Sequence, residues 1–166
     1  MVTIVVADSD DCEKFFDELS GALSGYFDAC ELRLCGIRDY KPAGNDSVIV
    51  VYNQPQPTLF SDQGTKTVVA IVDSGDELLL GHVSDTRLPA ITCGLRSRDT
   101  ITLSSMAKES AVIDLRRSIS CLDGSTVEPQ EIPLRGQQPR ENFLLMATAA
   151  ILILCGKVER LTEGYI

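Results

Sequence analysis

The chain has 166 residues, a formal net charge of -9, 44% hydrophobic and 23% charged residues, proportions and a length that suit one globular domain with a sizeable core. The acidic balance argues against a nucleic-acid backbone or an anionic membrane as partner, since both need clustered Lys and Arg. With no tryptophan and 5% aromatics, the core is left to Val, Ile, Leu and Ala.

Thr3 to Ala7 is a short β-branched run that ends in Asp8-Ser9-Asp10-Asp11, after which Phe15, Phe16, Leu19, Ala22 and Leu23 recur at helical spacing. This reads as a strand, an N-cap and an amphipathic helix stopped at Gly25. The opening MVTIVVADSDD has no basic region and too short an apolar run for an export signal, so a cytoplasmic chain with reduced thiols is expected. Six cysteines (Cys12, Cys30, Cys35, Cys93, Cys121, Cys155) form no CxxC pair, and several stand in apolar runs. They are read as buried free thiols, and with a single His and no CxxC pair a zinc site is not expected.

Glu31 to Gly36 alternates like a half-buried or edge strand, and Lys41 to Asp46 is a loop. Ser47 to Tyr52 is a continuous apolar strand of the kind a sheet covered on both faces requires. Asn53 to Gly64, with Pro55 and Pro57, is a lid or a loop with one helical turn. Thr67 to Val72 is another buried strand, Asp73-Ser74 caps a helix from about Gly75 to Val83, and Pro89 to Cys93 is the next strand. Strand, helix, strand in alternation means parallel order.

After Gly94 the pattern changes. Thr100 to Ser104, Ser110 to Leu115, Ser118 to Leu122 and Val127 to Leu134 are strands with no helix between them, and Asp123-Gly124 signals a hairpin. Then comes a helix whose middle, Phe143 to Cys155, carries no charge. Pro139 and Glu141 suit its first turn, Gly156 its left-handed stop and Lys157 its negative end. About 13 apolar residues are fewer than the roughly 18 to 20 a bilayer needs, so this is a buried core helix. Residues 157 to 166 form a polar tail or a truncated element. The fold class is α/β: a mainly parallel, Rossmann-like sheet of five or six strands with helices on both sides, and a small antiparallel patch at about 96–135 before the buried helix. A single domain, 1–166, is expected.

Three stretches carry a family resemblance: Val68-Val69-Ala70-Ile71-Val72-Asp73, Ile91-Thr92-Cys93-Gly94 and Gly136-Gln137-Gln138-Pro139-Arg140-Glu141-Asn142. Their order and spacing, over about residues 47–156, resemble the second half of the Mur ligase central domain. In that family a strand ending in acidic residues is followed by one ending Thr-[Phe/Tyr]-Gly, an antiparallel patch, and Gly-x-His-Asn-x-x-Asn before an Ala-rich helix. The enzymes add amino acids to peptidoglycan precursors using ATP, and the resemblance places Asn142 at the family's adenine-side asparagine. Three departures remove the chemistry. The Gly-Lys-Thr phosphate loop is replaced after Ala7 by Asp8, Ser9, Asp10 and Asp11, whose carboxylates repel a triphosphate. The His-Asn pair falls on Gln138 and Pro139. The metal-binding Asp-His, counted from Asn53, falls on Pro57 and Thr58. With ten residues after the core helix, no C-terminal ligase domain is expected either.

Open α/β sheets bind ligands at the C-terminal ends of their strands. The candidate crevice is therefore Asp8, Asp10, Asp11, Asn53, Thr58, Asp73 and Asn142, with no catalytic constellation, cofactor or metal expected, and no bare nucleotide phosphate. Helix capping accounts for the Asp8 to Asp11 cluster, with a weak cation site as the sharper alternative. Cys12 is read as structural, and His82 as a surface or helix-terminus residue. Arg96, Arg98, Arg116 and Arg117 either pair with neighbouring acids or form an anion site. The sequence thus points to a non-catalytic module with a protein partner or a second copy of itself. The alternative is a degenerate nucleotide- or phosphosugar-binding subunit completed by another chain.

Overall fold

The β-branched runs of the first half become strands whose alternate residues serve two different cores. The computed structural model describes residues 1–7, 13–28, 31–41, 46–53, 67–107, 110–135 and 141–162. Along β1 (Val2–Ala7), Ile4 and Val6 face one layer and Val5 and Ala7 the other. β3 (Ser47–Tyr52) divides in the same way, with Ile49 and Val51 opposite Val48, Val50 and Tyr52. β4 (Thr67–Asp73) follows, with Ile71 opposite Val68, Ala70 and Val72. Every one of these side chains is buried, as a sheet covered on both faces requires.

With β2 (Leu32–Gly36), β5 (Ala90–Cys93), β6 (Ile101–Ala107), β7 (Ser110–Leu115) and β10 (Gln130–Arg135), they form one eight-stranded sheet in the order β10-β7-β6-β5-β4-β3-β1-β2. Strands β2, β1, β3, β4 and β5 are mutually parallel, and β7 runs antiparallel to both its neighbours, β6 and β10. The expected five or six parallel strands are present, from β2 to β6, and β7 and β10 bring the sheet to eight. The antiparallel strands do not stand apart as a patch; β6 joins β5 through the single parallel pair Cys93↔Ile101 and carries the sheet onward. The expected strand Ser118 to Leu122 shrinks to β8 (Ile119–Ser120). Val127 to Leu134 splits into β9 (Thr126–Val127) and β10, because the Asp123-Gly124 turn makes a separate β8-β9 ribbon. Gly124 takes φ +89 in that turn.

Helices lie on both sides. α1 (Glu13–Leu23) turns Phe15, Leu19 and Leu23, one residue per turn, into the first layer, and α2 (Glu77–Thr86) turns Leu79 and Val83 into the second. The N-cap of α2 is Asp76, whose Oδ1 accepts from Leu79 N at 3.0 Å, and not Asp73-Ser74. Asp73 instead closes a local turn, accepting from Gly75 N at 2.7 Å. α3 (Asn142–Leu154) begins after Glu141, which stands at the N-cap and makes no side-chain cap bond. All its residues from Phe143 to Leu154 are buried. Gly156 stops it at φ +69, with Gly156 N donating to Ile153 O at 3.0 Å and Lys157 N to Leu152 O at 2.8 Å, the paired bonds of a Schellman end. The tail contains α4 (Val158–Thr162), a helical turn against β10 and α3.

α3 is covered by the sheet, α1, α4 and the β8 ribbon. Phe143 stacks on Phe15 with ring centroids 5.8 Å apart, Thr148 returns its hydroxyl to Leu144 O at 2.8 Å, and Leu122 N donates to Leu154 O at 2.8 Å. Among the described residues no helix is long and apolar enough to cross a membrane. Leu152→Ala should lower unfolding free energy by about 2–5 kcal/mol in urea titration, the usual cost of a buried Leu truncation. Leu78→Ala, at a position 78% exposed, should change it by less than about 0.5 kcal/mol.

Candidate functional site

Parallel strands put their C-terminal ends on one edge, where chain order reverses between β1 and β3. Asn53 lies at that switch point, its N donating to Ala7 O at 3.2 Å. Asp73 ends β4 on the same edge. Gly94 follows β5, and Asn142 opens α3 beside it. Asp8, Asp10, Asp11 and Thr58 lie outside the described residues, as do the Gly136 turn and most of the Asn53 to Gly64 loop.

Of the expected crevice residues, the structure brings Asp73 and Asn142 together. They line a cleft of about 290 Å³ with Ser74 and Arg96, over an apolar floor of Phe143 and Met146. Asn53 stands on the same edge but not in this cleft. Ser74 is 3% exposed, and its hydroxyl has no hydrogen-bond partner among the described residues. That hydroxyl and the Asp99 carboxylate fill the space a side chain at residue 94 would need; a Cβ there would overlap Ser74 Oγ and sit 2.7 Å from Asp99 Oδ2. Gly94 is therefore required by close approach and not by an unusual dihedral.

The loop after Gly94 is a braced turn. Asp99 N donates to Arg96 O at 3.1 Å, and Arg96 N donates to Asp99 Oδ2 at 2.7 Å. Arg116 reaches over to donate to Arg96 O at 3.1 Å while pairing with Asp114 at 2.9 Å, and Arg96 pairs with Glu77 at 3.5 Å. Two of the four arginines thus meet neighbouring acids. Arg98 has no hydrogen bond or ion pair among the described residues.

Burial, reinforced by Asp73 and Asp99, pushes the Cys93 thiol well above its usual range, and burial pushes Cys155 to about 12 against the opposing pull of Lys157. Both are free thiols, as are Cys35 and Cys121, in keeping with a structural reading. Glu31 is held below the usual carboxylate range by the Lys157 ammonium at 3.0 Å and by Asp28 N–H. His82 is not at a helix end but in the middle of α2, half-buried, with its ring edge-on to Tyr52 at 5.9 Å.

No protein-family model matches the chain, and no curated protein matches its sequence. Solved structures do match. The chain is similar to MurF from Acinetobacter baumannii at a TM-score of 0.52 and 10% identity, over 99% of this chain and 45% of that one. A second structure, the UDP-N-acetylmuramoylalanyl-D-glutamyl-2,6-diaminopimelate–D-alanyl-D-alanyl ligase of the same organism, gives the same TM-score, identity and coverage. The fold is Mur ligase-like, and the chain spans a little under half the length of these enzymes.

Reasoning from sequence missed the part played by Ser74 and Asp99. The signal lay in Arg96-Ser97-Arg98-Asp99, where an Asp three residues after an Arg, next to a glycine that ends a strand, fits a side-chain-closed turn. Gly94→Ala should cost about 1–3 kcal/mol through overpacking. Adding Ser74→Gly should restore part of the loss in a double-mutant cycle. The neutral Cys93 of the folded state gives a second expectation. Above the unfolded thiol pKa of about 8.5 the unfolded chain binds fewer protons, so stability declines as pH rises. Cys93→Ala should make that decline shallower in denaturant titrations on either side of this pH.

Proposed function

We propose that this chain is a non-catalytic binding or assembly module on a Mur ligase-like scaffold, acting in the cytoplasm with a protein partner or a second copy of itself. The observation that carries the reading is the cleft where Asp73 and Asn142, distant in sequence, meet the buried Ser74 hydroxyl over Phe143 and Met146. An apolar floor with a few convergent polar groups is the usual form of a recognition site. At the positions where the resemblance calls for phosphate-loop and metal-binding residues, the sequence has Asp8 to Asp11 and Pro57-Thr58, which supports binding without turnover. A role in cell-envelope metabolism follows only from the likeness of the scaffold.

A second reading is a degenerate nucleotide- or phosphosugar-binding subunit of an ATP-dependent ligase completed by another chain. It is favoured by Arg96 and Asn142 sharing the cleft at the start of α3. Thermal unfolding with and without millimolar ATP or ADP plus Mg²⁺ separates the two. The module reading expects an unchanged midpoint. A ligand at about 100 times its dissociation constant adds about 2.7 kcal/mol and raises the midpoint by roughly 4 °C or more. A rise of that size would put the second reading ahead.

A further inference from the structure

Behind Gly94, on the α2 side of the sheet, lies a second hollow of about 480 Å³. It adjoins the cleft at Asn142, and Ser74 and Arg96 line both. Leu80 of α2 closes one side, Thr92 of β5 lies in the wall, and the Arg96–Asp99 turn presents Ser97 and Arg98. We propose that this hollow receives a small oxyanion, the phosphate or carboxylate group of a ligand, between the Arg98 and Arg96 guanidinium groups and the Ser74 hydroxyl.

Three independent observations support this. A hydroxyl that is 3% exposed and without a partner among the described residues is costly to keep, and a bound oxyanion would satisfy it. Arg98 is exposed and unpaired among the described residues, and Arg96 has only an exposed acid, Glu77, at 3.5 Å. Both guanidinium groups can therefore turn to an anion, with the two parallel donors that suit phosphate or carboxylate. The turn bearing them is held beforehand by Asp99 on Arg96 N and by Arg116 on Arg96 O, so little order is lost on binding. Among the described residues Asp99 is the one carboxylate lining the hollow, and its Oδ2 is engaged with the backbone at 2.7 Å. A cation would meet two arginines, and an apolar ligand would leave Ser74 unsatisfied.

Calorimetric titration with inorganic phosphate and, separately, malonate, at constant ionic strength, tests the proposal. Saturable one-site binding is expected in the millimolar range or tighter. Binding of phosphate alone identifies a phosphate group, malonate alone a carboxylate, and both a site reading the shared oxyanion chemistry. Arg98→Ala, at an exposed position that leaves the fold intact, should weaken binding about tenfold or more, as should Ser74→Ala. Arg117→Ala, outside the hollow, should leave it unchanged. Saturation by neither anion, or binding indifferent to Arg98→Ala, would overturn the proposal. Because Ser74 and Arg96 line both surfaces, phosphate is the control for the nucleotide experiment: a midpoint shift with ATP that phosphate reproduces belongs to the hollow, and one that phosphate does not reproduce belongs to the cleft.

Discussion

The structure depends on covering α3. A helix buried from Phe143 to Leu154 has no face to give to water, so each side must meet another element, and the fold can be read as the set of surfaces that does this. The sheet provides Ile49, Ile71, Ile91 and Ile101, α1 provides Phe15 and Leu19, α4 provides Leu161, and the β8 ribbon provides Ile119. The ribbon is otherwise too small to stand alone. Its bond from Leu122 N to Leu154 O and the Cys121 thiol against Ile153 O at 3.1 Å fix it to the end of the helix.

The cleft and the hollow arise from the joint between two kinds of sheet. Five parallel strands bring Asn53, Asp73 and Gly94 to one edge, and the antiparallel strands begin where β5 ends. The chain crosses that joint in one short braced turn. Polar side chains concentrate there because a single strand pair, Cys93↔Ile101, leaves backbone groups for the loop to satisfy. Thr100 N does so twice, donating to Thr92 O at 3.0 Å and to Thr92 Oγ1 at 3.1 Å.

Most of the architecture was legible because its signals are local. Continuous apolar runs gave the parallel strands, the uncharged run gave the buried helix, and Gly156 gave its end, each by a rule acting within a few residues. The Mur-like order of motifs added the scaffold. What failed was non-local. Nothing near Thr100 says that β6 joins the main sheet, since that depends on where β5 ends. Asp73 and Asp76 look alike as caps, and only the turn at Gly75 decides between them. The meeting of Asp73 with Asn142 could be expected from the rule that ligands gather at strand ends. The lone hydroxyl of Ser74 could not, because it results from close packing over Gly94.

The position of α3 in the chain also bears on how the protein is made. Ile4, Ile49, Val51 and Ile71 leave the ribosome long before the helix that packs over their layer. A chain emerging at roughly 5–20 residues per second leaves the part of that apolar surface that α1 does not cover exposed for several seconds, the condition in which nascent sheets associate with one another or with chaperones. Synthesis is therefore the stage at which this otherwise well-covered sheet is most exposed to aggregation.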